Sequence, residues 1–245
     1  MTATPEQKVV LVTGASSGIG AATARTLATA GHQVILTARR IDRIKALAAE
    51  LTAAGHFAEA RPLDVTDRAG FHGVAEEVVN SYGRLDVLVG NAGVMLLSRL
   101  DALLVEEWDR MLDVNVRGLL NGIAAALPIF RRQGSGHFVT VASIGAHQVV
   151  ETSAVYSATK YAAWALTEGL RLESEPGIRV TTISPGVVDT ELADHITDPL
   201  AAAAMRTYRA ASIRPEDVAN AITYALAQPS DVDVNEIILR PSAQR

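Results

Sequence analysis

Cysteine is absent from this sequence, which excludes disulfides, thiolate metal sites and cysteine nucleophiles and agrees with a reducing compartment. Aromatic residues amount to only 4%, while hydrophobic residues of all kinds reach 49%. A core of that composition packs small and β-branched side chains, as close layers of helix on sheet require. No apolar run is long enough to cross a bilayer, and the polar opening Met1–Lys8 lacks the apolar stretch of a signal peptide. Basic residues are outnumbered: 22 Lys and Arg against 27 Asp and Glu leave a net charge of −5, with no basic stripe. That balance speaks against a nucleic-acid partner. The expectation is a soluble, cytoplasmic protein whose 245 residues form one α/β domain, residues 1–245.

Short apolar runs rich in β-formers alternate with longer helical patterns. Strands are expected at Val9–Val12, Val34–Ala38, Glu59–Leu63, Val87–Val89, Phe138–Val141, Val180–Ile183 and Ile237–Leu239. Several are continuous rather than alternating, which suits parallel strands covered on both faces. Helices are expected from Ile19 to Ala30, Asp42 to Ala54, Asp67 to Ser81, Glu106 to Arg132 and Ala154 to Glu173, with another opening at Pro215. This alternation implies right-handed crossovers and a doubly wound, mostly parallel seven-stranded sheet flanked by helices. The segment 187–212 breaks the rhythm and is expected to lie over the strand ends, with Asp198-Pro199 opening a short helix that serves either as a substrate lid or as a plain structural helix.

The first strand runs into Thr13-Gly14-Ala15-Ser16-Ser17-Gly18-Ile19-Gly20 and then a helix. Glycines at 14, 18 and 20 permit a tight turn and free helix-terminal amides to face a pyrophosphate. The second strand ends in Thr37-Ala38-Arg39-Arg40, with no acid until Asp42. An NAD site commonly offers a carboxylate there for the ribose. Two guanidiniums suit a 2′-phosphate instead, so the expected cofactor is NADP(H). Tyr156 and Lys160 stand four apart and share one face of a helix. An ammonium beside a phenol pulls the tyrosine toward the working pH range. Ser143 lies just past the fifth strand, Gly90-Asn91-Ala92-Gly93 follows the fourth, and Asn115 sits inside a long helix.

Thr13-Gly14-x-x-x-Gly18-x-Gly20, Asn91-Ala92-Gly93, Asn115, Ser143, Tyr156-x-x-x-Lys160 and Pro185-Gly186 occur in an order and spacing that resembles the short-chain dehydrogenase/reductase family. The likeness covers essentially the whole chain. It implies a single-domain Rossmann fold and an enzyme interconverting an alcohol with a ketone or aldehyde by hydride transfer. By resemblance, Tyr156 is the general acid/base, Lys160 holds the nicotinamide ribose, Ser143 bonds the substrate oxygen, and Asn115 anchors a relay water. The same likeness implies cofactor contacts from Gly14, Ser16, Ser17, Gly18, Ile19, Gly20, Arg39, Arg40, Asp64, Val65, Asn91, Ala92, Gly93, Pro185, Gly186, Val188 and Thr190. Gly90 and Ala142 depart from the family pattern, where another asparagine and another serine are frequent. The segments Val94-Met95-Leu96-Leu97 and Glu236–Pro241 look like a bacterial subgroup that includes clavulanate dehydrogenase, pointing to a small or medium polar carbonyl substrate. A homotetramer or homodimer is implied, built on the helices around 106–132 and 154–173, with Ala158, Ala162 and Ala165 as a small-residue face.

The substrate pocket is expected to mix apolar Val94, Val149, Leu192 and Ile196 with polar His147, Gln148 and Glu151; a lone loop histidine such as His147 is more often merely solvated. Two other readings compete. A non-catalytic dinucleotide-binding regulator on the same fold has no need of the tyrosine, lysine and serine kept here. An epimerase or dehydratase of the extended branch needs a larger carboxy-terminal domain than the roughly one helix and one strand that follow Ser212.

Overall fold

The computed structural model describes residues 7–244, so the polar opening read above lies largely outside the described residues. Seven strands form one sheet: β1 (Val9–Thr13), β2 (Gln33–Ala38), β3 (Ala58–Pro62), β4 (Val87–Gly90), β5 (Gly136–Val141), β6 (Ile178–Pro185) and β7 (Glu236–Leu239). Their order is β3-β2-β1-β4-β5-β6-β7. Every neighbouring pair is parallel, the last pair β6–β7 included, so the sheet is wholly rather than mostly parallel.

Helices cover both faces: α1 (Gly18–Thr29), α2 (Ile41–Ala53), α3 (Arg68–Tyr82), α4 (Val105–Leu112), α5 (Gly118–Gln133), α6 (Ala154–Glu173), α7 (Pro199–Tyr208) and α8 (Pro215–Ala227). The period of two along β1 explains why its apolar run is unbroken. Val10 and Val12 enter a core with Leu27, Ile44, Val218 and Ile222. Val9 and Leu11 point to the opposite layer, with Phe71, Val78, Ile129 and Phe130. Both faces are therefore buried, and Val9 to Val12 offer no position that tolerates a polar side chain without loss.

The single helix expected from Glu106 to Arg132 is broken. A π-helical turn at Asp113–Arg117 separates α4 from α5. One extra residue per turn shifts the phase of the helix, and such insertions concentrate at functional sites. The segment 187–212 contains a short 3-10 turn at Glu191–His195, then α7, whose first turn is capped by Asp198 accepting from the Ala201 amide at 2.8 Å. Among the described residues, no helix is long and apolar enough to cross a membrane.

Strand order reverses between β1 and β4, because one chain half winds outward through β2 and the other through β5. Crossovers leave in opposite directions there, and a crevice opens outside the carboxyl ends of the strands.

Candidate functional site

That crevice is a cavity of about 640 Å³. Its floor is fixed by Thr13 at the end of β1. The Thr13 hydroxyl donates to the Val89 carbonyl at 3.1 Å and accepts from the Asn91 and Ala92 amides at 3.0 and 3.1 Å. The Asn91 side chain returns a bond to the Thr13 carbonyl at 2.8 Å. β1 and the segment after β4 are thus stapled together where the chain must pass closest to a ligand.

Gly14 has φ +68° and Gly18 has φ +52°, values that side chains other than glycine avoid. A Cβ at Gly14 would stand 2.9 Å from the Ala92 Cα. The α1 N-terminus has no side-chain cap and no acid in its first turn. Its leading amides therefore look for an acceptor outside the helix, and an uncapped terminus of eight or more residues beside a cavity is an anion site in the making.

Lys160, on α6, is 7% exposed. Its ammonium donates to the Val141 carbonyl at 3.0 Å; no other acceptor for it occurs among the described residues. Burial pushes its pKa down to about 8. At pH 7 the ammonium still outnumbers the amine by roughly ten to one. It lies 5.8 Å from the Tyr156 ring centroid. Tyr156 sits in the first turn of the same helix, 9% exposed. Burial raises its pKa, and a hydrogen bond from Ser143 opposes that shift without cancelling it.

Ser143 stands at the end of β5 and caps a short turn by accepting from the Gly145 amide at 3.0 Å. A Cβ on Gly145 would lie 3.4 Å from both the Ser143 hydroxyl and a Tyr156 ring carbon, so the absence of a side chain at 145 lets the two hydroxyl-bearing residues converge. The opposite wall carries Thr152 at φ +68°, a conformation in which a β-branched residue is strained. Its carbonyl is held by the Ser98 amide at 3.1 Å.

Asn115 occupies the π turn and is 5% exposed. Its Oδ1 accepts from the Val94 amide at 2.8 Å, and its Nδ2 donates to the Val94 carbonyl at 2.9 Å and the Thr159 hydroxyl at 3.0 Å. Both side-chain donors are used on the protein. A water held at this position would therefore have to use the backbone or the remaining lone pair of Oδ1. Neither Asn115 nor Gly20 lines the cavity. Gly20 serves packing: a Cβ there would sit 2.4 Å from the Gly14 carbonyl oxygen.

The other expected site residues do line it: Gly14, Ser16, Ser17, Gly18, Ile19, Arg39, Arg40, Asp64, Val65, Asn91, Ala92, Gly93, Ser143, Tyr156, Lys160, Pro185, Gly186, Val188 and Thr190. Burial, the largest influence on Asp64, pushes its carboxyl up. The Thr66 amide and hydroxyl and the Arg39 charge together hold it below the ordinary range.

Three expected pocket residues lie elsewhere. Val149 is 60% exposed and points away. Ile196 packs with Val94, Leu97 and Tyr156 in a small core that Ala201 of α7 also enters. His147 turns to the sheet, where its Nε2 meets Glu236 at 2.8 Å and Ser184 at 3.2 Å, and its ring stands edge-on to Trp164. It lies outside the cavity, only partly exposed and held by protein partners. Met95, Val150, Met205 and Tyr208 also stand on the cavity wall; they lie in the segments 94–98, 144–152 and 187–212 expected to bound the pocket, but no motif singles them out individually.

Comparisons with known proteins agree with this geometry. The family model described as short chain dehydrogenase matches residues 8–201. An uncharacterized oxidoreductase of Staphylococcus saprophyticus is 43% identical over 243 residues, with 98% of each chain covered. An alcohol dehydrogenase of the archaeon Thermococcus sibiricus, solved with 5-hydroxy-NADP, superposes with a TM-score of 0.88 at 33% identity, covering 98% of this chain and 99% of that one. A short-chain dehydrogenase/reductase from Burkholderia phymatum, solved with NAD, gives 0.86 at 25% identity, covering 95% and 89%.

Proposed function

The chain belongs to the short-chain dehydrogenase family, and from that premise we propose that it interconverts an alcohol with a ketone or aldehyde using NADP(H). The observation that carries this reading is the convergence of the Ser143 hydroxyl and the Tyr156 ring across Gly145, beside a buried Lys160 ammonium. The nicotinamide, when bound, supplies or accepts the hydride, and the protein contributes position and electrostatics.

The residues present fit such a cofactor. The uncapped α1 terminus and the Gly14–Gly20 loop would hold the pyrophosphate, with Asp64 and Val65 toward the adenine and Asn91–Gly93 along the ribose. Two of the three Lys160 N–H donors have no protein acceptor among the described residues, which suits a pair of ribose hydroxyls. Pro185, Gly186, Val188 and Thr190 would orient the carboxamide. Arg39, Arg40 and Ser16 stand where a 2′-phosphate would be read, and no acid competes from the end of β2.

In reduction, Ser143 donates to the carbonyl oxygen as negative charge grows there, and Tyr156 delivers the proton. Burial keeps Tyr156 protonated, as an acid must be. In oxidation the phenol must ionise, and the Lys160 charge together with the Ser143 bond favours that form. On the substrate side, Met95, Leu97, Val150, Leu192 and Met205 form an apolar wall with Gln148 and Glu151 as polar points, a shape for a small or medium-sized carbonyl compound. The same reading takes the chain as a homodimer or homotetramer: Ala158 and Ala165 face outward on α6, near exposed Tyr161, and α4 and α5 expose Leu112 and Leu120.

The experiment is oxidation of NADPH and of NADH by the purified protein against a panel of aldehydes, ketones and keto acids. Turnover with NADPH at a higher kcat/KM than with NADH is expected. Tight NADPH binding without turnover across a broad panel would favour a regulator on this fold, and failure to bind either dinucleotide would end the proposal.

A further inference from the structure

Arg39 and Arg40 leave β2 side by side, yet the structure uses them differently. The Arg40 fork is filled by the protein. Its Nε and Nη2 donate to the Ser16 hydroxyl at 3.1 and 2.9 Å, Nη2 also reaches the Ser17 hydroxyl at 2.7 Å, and Nη1 meets Glu191 Oε2 at 2.9 Å. Glu191 accepts in addition from Arg43 Nη1, at 2.7 and 2.9 Å. Arg39 makes no hydrogen bond among the described residues, and its charge is felt by Asp64.

Arg40 and Arg43 open α2, while Glu191 begins the 3-10 turn of the lid, about 150 positions away in the chain. Arg40 and Glu191 both line the cavity, with Ser16, Ser17 and Thr190. The ion pair therefore crosses the mouth of the crevice at its adenosine end and places a carboxylate where a second phosphate would need arginine. The three side chains are 43 to 50% exposed, so the pair is an exchangeable surface contact rather than a locked buried one.

We propose that Glu191 sets the cofactor selectivity of this protein by occupying the arginine fork that a 2′-phosphate must use, so that NADP(H) binds by displacing it and NAD(H) does not. This rests on the reading that a nicotinamide dinucleotide binds in the crevice. Three guanidiniums, Arg39, Arg40 and Arg43, face two carboxylates, Glu191 and Asp64. A 2′-phosphate with close to two negative charges then meets a net charge of only about +1. Removing the Glu191 charge doubles it and frees Arg40 for a bidentate contact. NAD(H) carries a hydroxyl at that position and is nearly indifferent to the change. The lid consequence follows: bound NADP(H) releases the Glu191 turn from α2, whereas bound NAD(H) leaves it tied.

The test is Glu191→Gln in the full chain, with Kd values for NADPH and NADH measured by calorimetry in the absence of substrate. For a unit charge several ångströms from a phosphate in a solvent-exposed, salt-screened setting, NADPH should tighten roughly threefold to tenfold. The Kd for NADH should stay within about twofold of wild type, since no formal charge meets Glu191. The NADPH gain should also shrink as KCl is raised, as an electrostatic origin requires. A variant that binds NADPH no tighter, or that moves both nucleotides alike, overturns the inference while leaving the dinucleotide reading intact. Wild-type protein that binds neither nucleotide overturns both. Because Glu191 is exposed, an unchanged unfolding temperature serves to show that the variant is folded.

Discussion

Replacing Asn115 with alanine separates two roles that this residue can have, one in the chemistry and one in the architecture. Its side chain satisfies both the amide and the carbonyl of Val94 and donates to Thr159. Thr159 keeps a second bond, its own hydroxyl donating to the Tyr156 carbonyl at 2.7 Å, so the heaviest loss falls on Val94. Val94 is 7% exposed and Asn115 5%, so water reaches the stranded groups poorly. Each orphaned buried backbone group costs about 1–3 kcal/mol, which gives a loss of about 2–4 kcal/mol once partial entry of water is allowed. For a domain of this length that corresponds to a fall in Tm of roughly 4–8 °C. Differential scanning calorimetry or thermal circular dichroism measures it directly, beside turnover with the best carbonyl substrate. Turnover should fall as well, because Gly93, next to Val94 in the chain, lies against the Lys160 ammonium, but the two losses should appear together. A variant that loses turnover while its Tm stays within about 1 °C of wild type would refute the reasoning and assign the side chain to chemistry alone.

Tyr156→Phe removes one hydroxyl and little volume; turnover should fall by about 10² to 10⁴-fold, as loss of a positioned acid does, while calorimetry shows an NADPH Kd close to wild type. Near-normal turnover would end the assignment of the proton donor. Lys160→Met should unfold at a higher temperature than wild type at pH 7 while losing turnover. The folded pKa of about 8 is below the ordinary 10.5, so the unfolded chain binds the proton more tightly and the native state carries a penalty at every pH below about 8. That penalty fades as pH rises toward 10.5. Its upper size is about 3 kcal/mol, and a stability gain for the variant that is as large at pH 10 as at pH 7 would contradict it. His137 is 2% exposed with its Nε2 on the Thr181 hydroxyl at 2.8 Å. Burial first, then the Arg179 and Lys8 charges, push its pKa well below 6.5. The unfolded histidine therefore takes up a proton as pH falls through 6.5, and stability should drop below that point. Urea midpoints at pH 7.5 and 5.5 should differ less for His137→Gln than for wild type; an equal difference would place the acid sensitivity elsewhere.

Much of the fold could be read directly because its signals are local. β1 and β4 are apolar on both faces, the Gly14–Gly20 loop needs no distant partner to be recognised, and Tyr156 and Lys160 share a helical face by spacing alone. What could not be read depends on pairs far apart in the chain. The π turn at 113–117 leaves the apolar pattern of Glu106 to Arg132 unbroken and only rotates it, so periodicity predicts one helix. The local sign is Asn115 itself, a modest helix former whose side chain proves to be committed to Val94. His147 reads as a loop residue in solvent because Ser184 and Glu236, which hold it, are 37 and 89 positions away. Glu191 reads as an ordinary acid in the segment 187–212 until the fold brings it to Arg40 and Arg43.

The buried polar groups around the crevice give these separate observations a common physical basis. A lysine with one protein acceptor and a threonine at positive φ each lower the stability of the folded chain, while burial keeps the Tyr156 phenol protonated. The bonds they make, Lys160 to the Val141 carbonyl and the Ser98 amide to the Thr152 carbonyl, offset this only in part. The two apolar layers on either side of the sheet supply the stability that tolerates them, and those layers lie beneath the crevice, leaving the strand ends free for polar groups. A structural lysine at position 160 would be expected to reach solvent or a carboxylate. Here it is directed instead at the Val141 carbonyl and held 5.8 Å from a phenol ring, an arrangement that weakens the fold and leaves its other donors without a protein acceptor among the described residues. On that argument the stability gained by Lys160→Met and the turnover it loses are one effect seen from two sides.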